Sequence, residues 1–105
     1  MLLVGDSVGW RGSDELAGIQ PDWTVDAEPG RRPAELAARL RSLRTRNGPP
    51  QGLVVELGTN RSPGFRRRDL AESLRVSPRT PVLLVLPYVA ESPWSRRVDG
   101  WMRSI

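Results

Sequence analysis

The stretch Leu2-Leu3-Val4-Gly5-Asp6-Ser7 decides the fold of this chain. Its three apolar residues follow one another without alternation, which is typical of a short strand buried on both faces of a parallel sheet. Gly5 permits a tight turn directly after the strand, and Ser7 then stands at the entrance of a predicted helix. This arrangement exposes a serine hydroxyl above a sheet, where helix N–H groups favour developing negative charge. The alternative is that Ser7 only caps the helix.

Two other motifs share part of this pattern. The spacing Gly5-x-Ser7-x-Gly9 satisfies the nucleophile elbow of α/β-hydrolases, but that elbow follows several strands and only a few residues precede Gly5 here. A phosphate-binding P-loop requires a lysine before its serine or threonine, and the chain contains no lysine. Neither motif accounts for the stretch.

Composition narrows the classes of protein to consider. The 105 residues suffice for a single domain, residues 1–105. The net charge of +4 results from 16 arginines and 12 acidic residues, yet no RNA-binding aromatic signature or helix-turn-helix pattern accompanies the arginines. Many fall on predicted outer helix faces, as do Arg39, Arg41, Arg44 and Arg46, so a solvated surface is favoured over nucleic-acid binding.

The residues that are missing also carry information. Without cysteine the chain has no disulfide or thiolate metal site, and we expect no metal or cofactor. Without histidine it lacks the usual general base beside a serine nucleophile. No apolar run approaches the roughly 18 residues of a membrane span, and Met1 leads straight into the first strand without the pattern of a signal peptide. The cellular location stays open.

Strand and helix patterns alternate four times along the chain. The predicted strands are residues 2–4, 23–26, 53–57 and 82–86, and the predicted helices are residues 8–19, 33–46, 67–75 and 93–105. Alternation at this spacing predicts an α/β three-layer sandwich, a flavodoxin-like parallel sheet with helices on both faces.

Four short segments should meet where the strands end, because chemistry gathers beyond the carboxyl ends of parallel strands. They are Gly5-Asp6-Ser7, Pro29-Gly30-Arg31, Gly58-Thr59-Asn60 and Pro87-Tyr88. Ser7 offers a hydroxyl and a backbone N–H, Gly30 another N–H, and Asn60 a side-chain amide, which together suit attack on an ester and stabilisation of the oxyanion. Singly, Gly30 and Gly58 also fit ordinary turns, and Asn60 also fits an Asx-turn.

These blocks resemble the SGNH (GDSL-type) hydrolase family. Gly5-Asp6-Ser7 matches its first block, Gly30 the glycine of its second, and Gly58-Thr59-Asn60 its Gly-x-Asn block. The residues around these blocks are most similar to those of SGNH domains in acyltransferase-type proteins that modify cell-surface polysaccharides. The resemblance implies a serine esterase or O-acyltransferase acting on a small-molecule or glycan ester, with Ser7, Gly30 and Asn60 as catalytic residues. The alternative is an inactive SGNH-like module that binds a glycan or another ligand.

The chain departs from the family at its end. The family's Asp-x-x-His block has no counterpart, which predicts a domain truncated at its C-terminus and inactive by itself. Asp6 and Glu56 are nearby carboxylates, but nothing in the sequence positions either as a replacement base. Arg31 and Arg61 directly follow Gly30 and Asn60, so we expect both at the mouth of the cleft, facing an acidic substrate, unless they are only solvated.

The last predicted strand supports truncation independently. In the expected strand order 2-1-3-4, Val82-Leu83-Leu84-Val85-Leu86 forms an edge that is neither shortened nor charged. A run without alternation suits a strand covered on both faces. A missing fifth strand, or self-association through this edge, would satisfy its backbone groups.

Overall fold

A computed structural model of the chain describes residues 1–75, 79–87 and 92–105. Four parallel strands form one sheet in the order β2-β1-β3-β4, as predicted. The strands are β1 (Leu2–Gly5), β2 (Thr24–Ala27), β3 (Leu53–Glu56) and β4 (Val82–Leu84). The helices are α1 (Ser7–Arg11), α2 (Ser13–Ile19), α3 (Leu36–Asn47), α4 (Arg67–Leu74) and α5 (Pro93–Ser104).

Two predicted helices differ in detail. The helix predicted at residues 8–19 is divided into α1 and α2 at Gly12, because glycine is a poor helix former. The first turn of the helix predicted at residues 33–46 is a separate 3₁₀ turn, Pro33–Glu35, which precedes α3. Neither difference moves the ends of the strands.

The main hydrophobic core lies on one face of the sheet. β1 and β3 direct buried aliphatic side chains to this face, namely Leu2, Val4, Leu53 and Val55. Apolar residues of α3, α4 and α5 complete the cluster, among them Leu40, Leu70 and Val98. The core therefore fixes the three longer helices against the middle of the sheet.

The opposite face is covered by the first helix. A Cβ atom at Gly9 of α1 would lie 3.0–3.5 Å from the side chains of Glu56, Leu3 and Ala27. The described packing of α1 and α2 is against β1 and β2. The molecule is thus a three-layer α/β sandwich, and no helix in its described part is long and apolar enough to cross a membrane.

The edge strand β4 corrects one expectation. The sequence predicted a strand over residues 82–86 covered on both faces, but the strand ends at Leu84, and Val82 and Leu83 are exposed. Leu84 packs on the core, whereas Leu83 points to the other face and is 62% exposed. The reason is that α1 and α2 lie over the other half of the sheet.

We propose that a second copy of the chain pairs with this edge. Val82, Leu83, Val85 and Leu86 are each at least 36% exposed. Among the described residues no strand pairs with the outer side of β4, so another strand can satisfy its backbone groups. Sedimentation should show association that increases with protein concentration. Leu83→Lys should weaken it about tenfold or more by placing a charge at the edge.

The matched control for this experiment is Ile19→Lys. Ile19 lies at the end of α2 and is 74% exposed, so the same substitution there changes charge and hydrophobicity far from the edge. We expect it to leave association unchanged. A wild-type chain that sediments as a monomer at every concentration would refute pairing through β4.

Candidate active site

The turn after β1 is held by Asp6. Its carboxylate is completely buried, and Oδ1 accepts a hydrogen bond from the N–H of Val8 at 3.0 Å. Asp6 is therefore the N-cap of α1, and Ser7 is the first helical residue. The alternative in which Ser7 caps the helix is wrong, because Asp6 does so. The Ser7 hydroxyl remains partly exposed.

Asp6 also joins this turn to the loop after β3. Its Oδ2 accepts hydrogen bonds from the Thr59 hydroxyl at 2.5 Å and from the Thr59 N–H at 3.4 Å. A carboxylate that accepts bonds from two loops restrains both of them. The segments carrying Ser7 and Asn60 are thereby fixed next to each other.

The loop after β2 is a tight turn that presents Gly30. The N–H of Glu28 donates to the carbonyl of Gly5 at 3.2 Å, and the N–H of Arg31 donates to the carbonyl of Glu28 at 3.2 Å. Gly30 has φ +80° and follows Pro29, as in a type II turn, where glycine is favoured. Gly30 is exposed, and its N–H has no acceptor among the described residues.

The loop after β3 directs Asn60 towards this turn. The Asn60 side-chain amide donates to the carbonyl of Arg31 at 3.0 Å and so joins this loop to the loop after β2. The loop begins at Gly58, where φ is +122° and a Cβ would lie 2.8 Å from Val98. Only glycine fits there, which lets α5 press against the loop.

Three hydrogen-bond donors are consequently held at one edge of the sheet. They are the N–H of Ser7 in the first turn of α1, the N–H of Gly30, and the second amide hydrogen of Asn60. The structure brings together the three loops that carry them. Of the fourth predicted segment, Tyr88 lies outside the described residues. Within the described ranges, no cluster of acidic residues could hold a metal ion.

Arg31 corrects another expectation. Its side chain is not at the mouth of the cleft but buried, and only 7% of the residue is exposed. Nη1 lies 2.7 Å from Oδ1 of Asp26 and donates to the carbonyls of Asp26 and Gly5. Burial alone would raise the pKa of Asp26, but hydrogen bonds from Arg39 and Arg31 outweigh it and lower that pKa. Through these contacts Arg31 stabilises the loop after β2.

Arg61 behaves differently from Arg31. It is exposed and lines an open groove with Trp94 and Arg97 of α5. Its position directly after Asn60 places the groove next to the loop that carries the candidate oxyanion donor. Of the two arginines, only Arg61 is available to a ligand.

Asp6 and Glu56 form a buried carboxyl pair next to the turn after β1; the sequence showed both carboxylates to be near the site but not that they are buried and paired. Glu56, 7% exposed, accepts a hydrogen bond from the N–H of Gly9 at 2.5 Å and shares one with Asp6. A Cβ at Gly5 or Gly9 would lie 3.1 or 3.0 Å from its Oε1, so both glycines leave room for this carboxyl. The available signal was an acidic residue in an otherwise apolar strand.

Glu56 keeps its proton to a higher pH in the folded chain than in the unfolded chain. Burial, then the hydrogen bond and the charge of Asp6, raise the pKa of Glu56 from 4.5 to about 8. Between these values the folded chain holds a proton that the unfolded chain has lost. The free energy of unfolding therefore falls as the pH rises through this window.

Glu56→Gln should remove this pH dependence. Glutamine keeps an oxygen for the Gly9 N–H and supplies a permanent N–H donor to Asp6, as protonated glutamate does. We expect the variant to match the wild type near pH 4 and to exceed its free energy of unfolding by about 1–3 kcal/mol at pH 8. Urea denaturation at both pH values measures the difference.

Glu15→Gln is the control for that prediction. Glu15 is an exposed residue of α2, so its substitution removes the same charge from the surface. It should leave the pH dependence as it is in the wild type. A Glu56→Gln chain that is less stable than the wild type at pH 8 would refute the raised pKa of Glu56.

Comparison with known proteins yields matches in structure only. No protein-family model matches the chain, and no curated protein matches its sequence. The C-terminal catalytic domain of peptidoglycan O-acetyltransferase A (OatA) from Streptococcus pneumoniae, solved with a methylsulfonyl adduct, superposes with a TM-score of 0.81 at 20% identity, over 98% of this chain and 60% of that one.

A second similar structure is the psychrotrophic esterase EstA from Pseudoalteromonas sp., inhibited by monoethylphosphonate. Its TM-score is 0.63 at 17% identity, over 98% of this chain and 69% of that one. The chain therefore spans 60% of the acetyltransferase domain and 69% of the esterase. Both likenesses show the fold, which is the flavodoxin-like α/β fold of SGNH hydrolases.

Proposed function

We propose that the chain is the nucleophile-bearing part of an SGNH-type serine ester hydrolase or O-acyltransferase. The observation that carries this proposal is the hydrogen-bonded convergence of three loops: Asp6 with Thr59, Asn60 with the Arg31 carbonyl, and Glu28 with the Gly5 carbonyl. These hydrogen bonds hold the donors in place before a substrate binds. Donors fixed in this way can stabilise the negative charge that develops on an oxyanion, so the convergence supports a common site.

The proposed reaction begins with attack of the Ser7 hydroxyl oxygen on the carbonyl carbon of an ester. The hydroxyl proton passes to a base, and the carbonyl π electrons move to oxygen, giving a tetrahedral oxyanion. The N–H groups of Ser7 and Gly30 and the Asn60 amide donate to this oxygen. Collapse breaks the ester bond, and the departing alcohol takes the proton, leaving acyl-Ser7. Water or a sugar hydroxyl then attacks the acyl carbon and gives its proton to the base, the bond from the acyl carbon to the Ser7 oxygen breaks, and the base returns the proton to that oxygen.

The base of this scheme is not supplied by residues 1–105. The chain has no histidine, and the carboxyl groups of Asp6 and Glu56 are buried in contacts with the backbone and with each other. We propose that an Asp-x-x-His segment outside these residues provides it, as in the family. The completed form of the protein, used below, is the chain extended after Ile105 by such a segment.

The proposed substrate is an acyl ester on a glycan. One similar structure is a peptidoglycan O-acetyltransferase and the other an esterase, and both are compatible with acyl transfer through a serine. A second candidate function is favoured by the lack of histidine: an inactive module that retains the cleft and binds a glycan without turning it over. The two candidates differ in whether acyl-Ser7 forms.

Acetyl-ester turnover by the completed form separates these possibilities. It is measured with and without a sugar oligomer as acceptor, and the products are identified by mass spectrometry. Acetylated sugar indicates a transferase, and acetate alone indicates an esterase. A folded completed form that yields neither product would overturn the enzyme proposal in favour of the binding module.

A further inference from the structure

An arginine-rich groove lies beside the candidate active site. It has a volume of about 520 Å³, within the range of small-molecule binding clefts. Three segments contribute to it, namely the loop after β3, the beginning of α4 and one side of α5. Together they line it with five arginines, Arg61, Arg66, Arg67, Arg68 and Arg97.

The positive charge of this groove is not balanced locally. In the described part of the chain, no acidic residue lines the groove, and none of its five arginines forms an ion pair. Arg67 donates to the hydroxyl and carbonyl of Ser104, which fixes that side chain without neutralising it. Clustered charges of one sign in a cleft concentrate ligands of the opposite sign.

The aromatic residues of the groove argue against nucleic acid. Single-stranded nucleic acid is held by aromatic faces on which bases stack. Phe65 and Trp94 are each only 9% exposed, and their rings pack against Trp101 at centroid distances of 6.2 and 5.7 Å. These faces are used inside the protein, so recognition falls to the guanidinium groups.

Guanidinium groups fit carboxylates through paired N–H donors. Because the arginines are spread over three segments, a ligand that engages them must carry several acidic groups along its length. Trp94 has a buried indole N–H without a hydrogen-bond partner among the described residues. It lines both the groove and a neighbouring cavity of about 200 Å³ that also includes Arg61.

We propose that this groove binds a carboxylate-bearing oligosaccharide. In the proposed reaction this oligosaccharide is either the acyl acceptor or the sugar chain that carries the ester. Since Arg61 directly follows Asn60, an oligosaccharide bound in the groove extends away from the candidate oxyanion site. This inference rests on the proposed function for the role of the oligosaccharide in catalysis. The recognition itself is independent of any catalytic step.

Binding of an oligogalacturonate hexamer to the 105-residue chain tests the inference. Calorimetry should show binding that weakens as salt is added, with much weaker binding of a neutral N-acetylglucosamine hexamer. Arg61→Glu combined with Arg97→Glu should reduce affinity for the acidic hexamer about tenfold or more. Ser7→Ala should bind as the wild type does, so a failure of the catalytic proposal leaves this result intact.

The control pair is Arg41→Glu combined with Arg46→Glu. Both residues are exposed on α3 and lie outside the groove, and the change in net charge is the same. We expect less than about a threefold loss from this pair. Equal losses from both pairs, equal binding of the neutral hexamer, or tighter binding of a single-stranded oligonucleotide of six residues would each overturn the inference.

Discussion

Replacing Ser7 with alanine in the completed form should abolish ester turnover. Loss of the nucleophile lowers kcat by roughly 10³–10⁶-fold in serine hydrolases, because only solvent attack remains. The fold should survive, since the Ser7 side chain is partly exposed and Asp6, not Ser7, caps α1. Initial rates on an activated acetyl ester measure the loss, and circular dichroism measures the fold.

Ser13→Ala is the matched control. Ser13 begins α2, and its hydroxyl donates to the carbonyl of Trp10 at 2.7 Å, so the substitution removes a nearby hydroxyl without touching the three converging loops. Its turnover should stay close to that of the wild type. If Ser7→Ala retained most of the wild-type rate, another residue would be the nucleophile.

Asn60→Ala should give the next largest effect. The variant loses one proposed oxyanion donor, and removal of such a donor costs about 10²–10³-fold in kcat. It also loses the hydrogen bond to the Arg31 carbonyl, which loosens the loop that carries Gly30. Because the oxyanion exists only after attack, KM should change little. Steady-state kinetics on the completed form separate the two parameters.

Asn47→Ala is the corresponding control for that experiment. Asn47 is the last residue of α3 and is exposed, so its amide is equivalent in chemistry but distant from the loops. We expect wild-type kcat and KM. If Asn60→Ala raised KM while leaving kcat unchanged, Asn60 would bind the ground state of the substrate and would not stabilise the oxyanion.

The arrangement of the sheet could be predicted because it depends on local patterns. Short apolar runs without alternation mark β1 and β3, and a helix follows each strand. For a parallel sheet with right-handed crossovers, such a pattern leaves few topologies. The convergence of the loops carrying Ser7, Gly30 and Asn60 follows from that topology, because parallel strands end at the same edge.

The burial and the partners of individual charged side chains could not be predicted in this way. Arg31 is buried because Asp26, at the end of β2, lies within reach of its guanidinium group, and only the folded turn creates that proximity. Glu56 sits in an apolar strand, and its burial depends on the space left by Gly5 and Gly9. Such pairings depend on tertiary distances, which a linear pattern does not contain.

The exposure of β4 has a similar explanation. An uninterrupted apolar run predicts a strand covered on both faces, yet coverage depends on where the helices lie. In this chain α1 and α2 lie over β1 and β2, so Leu83 is left exposed. The apolar run correctly predicted a strand at this position, but its prediction that both faces of the strand are covered was wrong.

The location of a covalent label tests most directly whether Ser7 is the nucleophile. The completed form is treated with a fluorophosphonate, digested with trypsin and mapped by mass spectrometry. Cleavage after Arg11 yields the peptide 1–11, in which Ser7 is the only side chain with a hydroxyl group. We expect the adduct on this peptide and its loss in Ser7→Ala. An adduct confined to another peptide, or no adduct on a folded completed form, would contradict the account.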